Sequence, residues 1–469
     1  MKLSFSRKNI WDHTPTFLKT SVGKLLRHIP PEMLLGRNFK NNQKFITDAE
    51  WWPREKNLEY QLAEIRRICQ LAGNTPFYKK IFSAYNFNPH NISSHDDLLK
   101  LPTINRDTVN KHLNEMCAVS PKAARVDYIT TGGTSGVPLR FYIGSDRSAI
   151  EFPYLLQSWK RVGYSLGMPL AIFRGRIVQP DKNGLYHQHD PLLNHHYYST
   201  FHMNDDNMEK YLQHIRTLGQ CFLHVFPSSV ANLARFIRRS GQNPPENIAG
   251  ILAESENVYP DQRKLVEQVF RVPYFSSYGH TEKLIAAAEC KDSTNYHVWP
   301  TYGYFELIDE QDKRVTTPGK RGEIVGTGFI NKIVPFVRYR TGDFATHIGN
   351  KCEQCGREHV IISDISGHNV QENLVATDGS LIPWSAVNMH DDTFDNVLQY
   401  QMYQDNPGKG ILKIVPALAF SENDRNLILQ NLGKKFKTQF TFTISLVKAI
   451  PLSKRGKAIF VDQHINDAA

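Results

Sequence analysis

Cysteine is scarce in this chain, with six in 469 residues. That excludes a disulfide-built scaffold, which needs cysteine at far higher density. No uninterrupted apolar run reaches the roughly 18 residues of a membrane-spanning helix, so no span is expected. The first ten residues, Met1 to Ile10, are basic but have no apolar h-region. No secretory leader is therefore expected, and the chain reads as cytoplasmic. Internal repeats, low-complexity tracts and long linkers are also missing. The net charge of +10 suits phosphate-bearing ligands. The basic residues are spread out and make no RNP, helix-turn-helix or finger pattern, so nucleic acid is not an expected partner. A 41% hydrophobic, 22% charged composition leaves enough apolar material for a large core, in about two to four domains at this length.

Residues 130–140, Thr-Thr-Gly-Gly-Thr-Ser-Gly-Val-Pro-Leu-Arg, are the most informative stretch. Glycines let backbone N–H groups turn toward one point, and hydroxyls add donors. Thr131, Gly132, Gly133, Thr134, Ser135 and Gly136 thus make a candidate phosphate cradle. The loop is not of the Walker type, because Gly136 is followed by Val137 and Pro138 rather than lysine and a hydroxyl residue. Read alone, it is equally a Gly/Ser/Thr-rich surface turn.

Around this loop, short apolar runs alternate with helical periodicity. A helix is expected over Glu59 to Leu71, closed by Gly73-Asn74, with another start at Asn105 and a further helix over Ser145 to Arg161. Cys221 to Phe226, Ile248 to Leu252 and Tyr274 to Ser277 read as strands, and Pro260 to Phe270 as a helix. The alternation implies α/β layers with a mixed or parallel sheet, whose ligands sit at the carboxyl ends of strands. The last hundred or so residues change character. Strands over Val397 to Tyr403 and Gly410 to Val415 flank the turn at Asn406-Pro-Gly408. A Ser421/Asp424 capping box opens a helix, and Phe442 to Ile450 forms a final strand.

Four further segments follow the loop in order: Tyr278-Gly-His-Thr-Glu282; Arg338-Tyr-Arg-Thr-Gly-Asp343; Gly367 to Gly379; and Pro451-Leu-Ser-Lys-Arg-Gly-Lys457. With the loop, this set resembles the adenylate-forming superfamily, and within it the phenylacetate-CoA ligase-like branch that includes CapK-type proteins of capsular polysaccharide clusters. The resemblance runs from about Leu62 onward. It implies an α/β fold with a large multi-sheet N-terminal AMP-binding domain (residues 1–367) and a small mobile α+β C-terminal domain (368–469). It also implies ATP-dependent joining of a small carboxylic acid to AMP, followed by transfer to CoA, another thiol or an amine. A place in surface polysaccharide synthesis comes with the CapK likeness. A non-catalytic nucleotide- or acyl-binding module of the same fold, or a pathway transferase without adenylation, stands as the alternative.

The chemistry requires a phosphate cradle, a magnesium ligand and a mobile cation, since both reactants are anions. By resemblance, loop 131–136 takes the β- and γ-phosphates, Thr281 the α-phosphate, Tyr278 the adenine and Asp343 the ribose hydroxyls. Ala253-Glu-Ser-Glu256 lines the adenine pocket. Glu282 is a hard-oxygen ligand of the kind magnesium takes. Lys457 supplies the point charge on the transition state. The chain departs from the pattern where the family loop carries lysine after the proline; here Leu139 stands there and Arg140 one place on. It departs again where His368 replaces an arginine before the hinge, which is placed at Gln371 and Glu372. The acid pocket would draw on Tyr154, Trp159, Phe173 and Phe226, which read equally well as core.

Cys352-Glu-Gln-Cys355-Gly356 is a CxxC with a glycine turn. With Cys290 and His297 it supplies the three thiolates and one imidazole of a closed structural zinc site, and some relatives carry zinc in such an arrangement. His359 is an alternative fourth ligand, and a redox CxxC or unrelated reduced thiols are the other readings. Cys69, Cys117 and Cys221 sit in apolar contexts and read as packing residues.

Overall fold

The computed structural model describes residues 34–131, 138–176, 178–367, 373–383, 389, 392–394, 396–451 and 461–465. Several of its helices begin at a capping side chain or a proline. After α1 (Arg37–Ala49), α2 (Arg54–Gly73) ends at the expected glycine. In α3 (Pro76–Ala84), the Thr75 side chain accepts from Tyr78 N, and Pro76 takes the first turn, where its missing N–H costs nothing. Asn105 caps α4 (Arg106–His112) in the same way. Then come α5 (Arg147–Lys160), α6 (Asp205–Arg216), α7 (Pro227–Ser240) and α8 (Pro260–Phe270), the last two again opening on proline.

Strands β1 (Val126–Thr131) and β2 (Leu139–Gly144) pair antiparallel, with Thr131 opposite Leu139. The Gly-rich segment therefore leaves and re-enters one hairpin. The main sheet comprises β3 (Leu170–Phe173), β4 (His187–Asp190), β5 (His195–Tyr198), β6 (Cys221–Val225), β7 (Ile248–Glu254), β8 (Tyr274–Gly279), β9 (Ala286–Cys290), β10 (Ser293–Val298), β11 (Gly303–Ile308), β12 (Arg321–Gly328), β13 (Tyr339–Gly349) and β14 (Val360–Ser366). Among the described residues these twelve lie in the order β11-β12-β13-β14-β10-β9-β8-β7-β6-β3-β5-β4. Strands β5, β3, β6, β7 and β8 run parallel, and their flanks are antiparallel. The mixed α/β expectation is borne out. The parallel half packs against α6 and α7 through Ile215, Leu212, Leu233 and Ile237.

A smaller unit follows. β15 (Asn373–Val375) pairs with β16 (Leu381–Pro383). β17 (Val397–Asn406), β18 (Lys409–Pro416), β19 (Thr441–Leu446) and β20 (Val461–Gln463) form a second sheet in the order β19-β18-β17-β20. The helix α9 (Glu422–Phe436) covers it with Ile428, Leu432 and Phe436. The expected Ser421/Asp424 capping box opens α9, and Gly408 takes the positive φ of 71° that the β17–β18 turn requires. The last long strand stops at Leu446, four residues before the expected Ile450. Phe201 and Phe226 of the larger unit enter the apolar cluster of the smaller one. Asn204 Nδ2 donates to Asp378 at 2.8 Å across the same junction. No helix among the described residues is long and apolar enough to cross a membrane.

Candidate active site and metal cluster

The segment Arg338 to Asp343 is pinned residue by residue. Arg338 is buried against Glu306, at 3.2 Å. Tyr339 OH lies 3.4 Å from Glu282 Oε1. Arg340 pairs with Glu323 at 2.5 Å, and the Thr341 hydroxyl donates to Ile324 O at 2.8 Å. Gly342 adopts φ 78°, a left-handed turn that redirects the chain at Asp343. Asp343 Oδ2 then accepts from Tyr278 OH at 2.8 Å. The sequence separates Tyr278 and Asp343 by 65 residues, and this side-chain hydrogen bond joins them although β8 and β13 do not pair.

Glu282 sits just past the carboxyl end of β8. The loop that carries it packs on β11 and β12 through Leu284, whose carbonyl faces Gly303 and whose side chain faces Gly328. A Cβ at Gly303 would fall 1.9 Å from Leu284 O, and one at Gly328 would fall 2.6 Å from Leu284 Cδ2. At Gly303, where the Cβ would meet backbone, only glycine fits beneath this loop. Glu282 is 7% exposed, with His280 Nδ1 3.0 Å from Oε2. Burial pushes its carboxyl up, but His280 and Arg106 outweigh burial and hold it at about 2. It is therefore a buried, ionised hard-oxygen donor, which suits a divalent cation shared with phosphate and water. Burial, and then Asp343, push the Tyr278 phenol well above its ordinary value, so it stays a neutral donor.

Helix α4 ties this centre to the Gly-rich hairpin. Ile104 bridges to Tyr339, and Arg106 acts on both Glu282 and Tyr339. One turn on, Asn110 donates to Pro138 O at 2.8 Å and accepts from Arg140 N at 3.0 Å, fixing the strand that resumes after the loop. Thr131 is buried, and its hydroxyl has no partner among the described residues. Gly132 to Gly136, His368 to Glu372 and Lys457 lie outside the described residues.

The remaining candidate residues have these surroundings. Arg140, weighed as a stand-in for the loop lysine or an exposed strand residue, donates to Phe394 O at 2.7 Å and Val397 O at 2.8 Å, holding the smaller unit against the larger. Glu256 accepts from Ser228 N at 2.9 Å and Ser228 Oγ at 3.0 Å, so its carboxylate sits at the N-terminus of α7. Thr281 is half-buried beside Glu282. Of the proposed pocket aromatics, Tyr154, Trp159 and Phe173 are core: Tyr154 OH donates to Thr301 O, Trp159 packs on Tyr164, and Phe173 stacks on Tyr198. Phe226 lies at the junction with the smaller unit.

A charged group stands where the parallel strands end, and of its members the sequence reading named only Glu254, within the segment expected to line the adenine pocket. Arg174, directly after β3, donates to Glu254 of β7 at 3.0 Å, and Glu254 also contacts His224 of β6. Burial pushes Glu254 up, yet Arg174 and His224 hold it at about 2. The only available signal was that each residue closes or sits within an apolar strand run.

On the other side of β8, Cys290, His297, Cys352 and Cys355 each bring one donor atom within 4.8 Å of the others. Cys290 ends β9 and His297 lies on β10, while the two remaining cysteines come from the turn between β13 and β14, where Gly356 takes φ 77°. Burial holds the His297 imidazole at about 3, in its neutral, ligand form. Cys290 is pushed up to about 11 by burial, whereas hydrogen bonds from Arg357 outweigh burial and pull Cys355 below its ordinary value. His297 is the imidazole of this set, while His359 lies outside it with Nε2 3.1 Å from Glu50 O. Beneath the cluster, the buried guanidiniums of Arg161 and Arg357 share one carboxylate, Glu50, at 2.9 and 2.8 Å. That leaves one uncompensated positive charge, matching the single negative charge of a divalent ion with three thiolates and an imidazole. Cys69 and Cys221 are buried, and Cys117 is half-buried with Sγ 3.2 Å from Leu113 O.

Comparison with known proteins fits this geometry. A CapK C-terminal domain model matches residues 374–464. Protein CapK of Staphylococcus aureus is 22% identical over 84% of this chain and 86% of its own length. The phenylacetate-coenzyme A ligase of Pseudomonas putida is 24% identical over 61% of this chain, and the match spans 65% of that ligase. Among solved structures, 2-hydroxyisobutyryl-CoA ligase in its postadenylation state, in complex with R3-HIB-AMP, shares the fold with a TM-score of 0.56 at 16% identity, covering 90% of this chain and 91% of that one.

Proposed function

This chain is a homologue of CapK and of the phenylacetate-CoA ligases, with the fold of adenylate-forming ligases, and from that premise we propose that it is an AMP-forming acid ligase. A small acyl or aryl carboxylate attacks the α-phosphate of ATP, pyrophosphate leaves, and the acyl group passes from AMP to CoA or another acceptor. The observation that carries this reading is the convergence of Glu282, Tyr278 and Asp343 at the carboxyl end of β8, joined through α4 to the hairpin that bears the Gly-rich loop.

In this reading Asp343 takes the ribose hydroxyls, with Tyr278 donating to it and bordering the adenine. Thr281 faces the α-phosphate, and Thr131 with Gly132 to Gly136 cradles the outer phosphates. Glu282 holds magnesium, which neutralises phosphate charge when bound. Lys457 brings a positive charge to the reacting oxygens. The chain divides at 367/368, so Lys457 belongs to a C-terminal domain that can re-orient between half-reactions. Zinc clips the β13–β14 turn to β9 and β10 through Cys290, His297, Cys352 and Cys355, and it has no open position for substrate. The setting is cytoplasmic, and modification of a surface polysaccharide is the pathway role that the CapK likeness suggests. A non-catalytic nucleotide-binding reading draws on Arg140, whose guanidinium serves the junction of the two units. The ionised, buried Glu282 opposes that reading, because a module that only binds has no need to keep such a charge.

The test is pyrophosphate release from ATP with a panel of aryl and short acyl acids. Acid-dependent release is expected. AMP binding without release under any acid would favour the non-catalytic module.

A further inference from the structure

Four strands separate β9 from β5 in the sheet, and beyond them lies a second cluster of nitrogen ligands. His187 on β4, His196 on β5 and His214 on α6 bring one ring nitrogen each within 4.8 Å of one another. The hairpin register explains the grouping. His189 pairs with His196 and His187 with Tyr198, so these four side chains share one face. Helix α6 lays His214 against that face, 4.2 Å from His187 between ring centroids.

The hydrogen bonds around the rings select which nitrogens are left. His196 Nε2 lies 3.3 Å from Asn194 Oδ1, a pure acceptor, so that nitrogen carries the proton and Nδ1 keeps its lone pair. That Nδ1 lies 3.1 Å from His187 Nε2. His214 Nδ1 is 2.7 Å from Tyr198 OH, which leaves Nε2 for the cluster. Orienting a ring through its outer nitrogen is what second-shell partners do for metal-bound histidine. Burial lowers His187 to about 3 and His196 to about 2, and it lowers His214 as well. Three neutral imidazoles are thus packed together. The carboxylate of Asp181, which acts on both His187 and His214, is the nearby opposite charge.

We propose that His187, His196 and His214 form a second metal site, taking a divalent transition ion such as zinc, cobalt or nickel, distinct from the Cys/His cluster. Nitrogen-only donors favour these ions over magnesium or calcium. Two nitrogens about 3.3 Å apart is the separation that tetrahedral bonds of about 2.0–2.1 Å produce. His187 and His214 are only half-buried, so a three-histidine set here keeps a position open to water. The ion would staple an edge hairpin, whose outer strand β4 has a neighbour on one side only among the described residues, to helix α6.

The test uses tag-free, full-length protein stripped by chelator and titrated with cobalt(II). Two equivalents are expected in the wild type. One shows thiolate-to-cobalt charge transfer; the other shows only ligand-field bands. His214→Gln, on the half-exposed helix face, should lose the second equivalent and keep the first, with an unchanged far-ultraviolet circular dichroism spectrum. Cys352→Ser/Cys355→Ser should do the reverse, so failure of the cysteine site and failure of this one read differently. His187→Gln should weaken binding of the second equivalent at least about tenfold. A wild-type protein without a thiolate-free equivalent, or one whose second equivalent survives both His187→Gln and His214→Gln, would overturn the proposal.

Discussion

Glu282 with Asp343, and the Cys290/His297/Cys352/Cys355 cluster, are carried by neighbouring strands of one sheet, yet they are built on opposite plans. The first is a buried carboxylate, Glu282, held ionised by His280 and Arg106, beside Asp343 and the hydroxyls of Tyr278 and Tyr339. The second is a closed shell of soft donors over two arginines that share one carboxylate. In the proposed reading the first set of oxygens meets a cation and a nucleotide, and the second set of donors would close around a single ion. A carboxylate kept ionised in spite of burial marks a candidate place for substrate; soft donors gathered around one point mark a candidate place for a structural ion.

Substitutions should separate the two plans by their effect on turnover. The largest loss is expected from Glu282→Gln and Lys457→Ala, each lowering the rate of adenylate formation about 10²–10³-fold with nucleotide affinity largely kept, because charge on the transition state is worth most as it develops. Pyrophosphate exchange measured at saturating ATP is the readout. Asp343→Ala comes next. It should weaken AMP about 10- to 100-fold by titration calorimetry, since a charge-assisted hydrogen bond is worth roughly 1.5–3 kcal/mol and is made before and during the reaction. Cys355→Ser should have the smallest direct effect on turnover while removing the metal and lowering the thermal midpoint, since the metal's binding energy is folding energy. Elemental analysis and a melt check it; a Cys355→Ser protein that kept its metal would erase the contrast.

The pH dependence of stability sharpens the first plan. Glu282 is held at about 2 against an ordinary 4.5, so its ionisation favours the folded state above pH 4.5, and that contribution is lost as pH falls toward 2. The gap in melting temperature between wild type and Glu282→Gln should therefore shrink as pH drops below 4.5.

Local structure was legible where one residue decides it. Pro260 and Phe270 bound α8 as read from the sequence, and Ser421 with Asp424 opens α9. The Cys/His grouping was legible because thiols are rare enough for two separated pairs to stand out. What escaped was set by distant packing. Nothing near Leu284 foretells that Gly303 and Gly328 make room for the loop bearing Glu282. Arg140 looked like a phosphate ligand or a solvated charge because its partners, two backbone carbonyls, lie over 250 positions away. The histidine face of β4 and β5 was invisible for a related reason. His187 and His196 share a face through strand register, and His214 joins them from a helix beyond.

The most direct measurement of the central claim follows one oxygen. With a carboxylic acid labelled with ¹⁸O at the carboxyl group, attack on the α-phosphate places an acid oxygen between acyl carbon and phosphorus, and transfer of the acyl group leaves that oxygen on AMP. Mass spectrometry of the AMP formed during turnover should show one ¹⁸O per molecule, with none in pyrophosphate. Label in inorganic phosphate beside ADP, or unlabelled AMP from a productive turnover, would contradict adenylation by this chain.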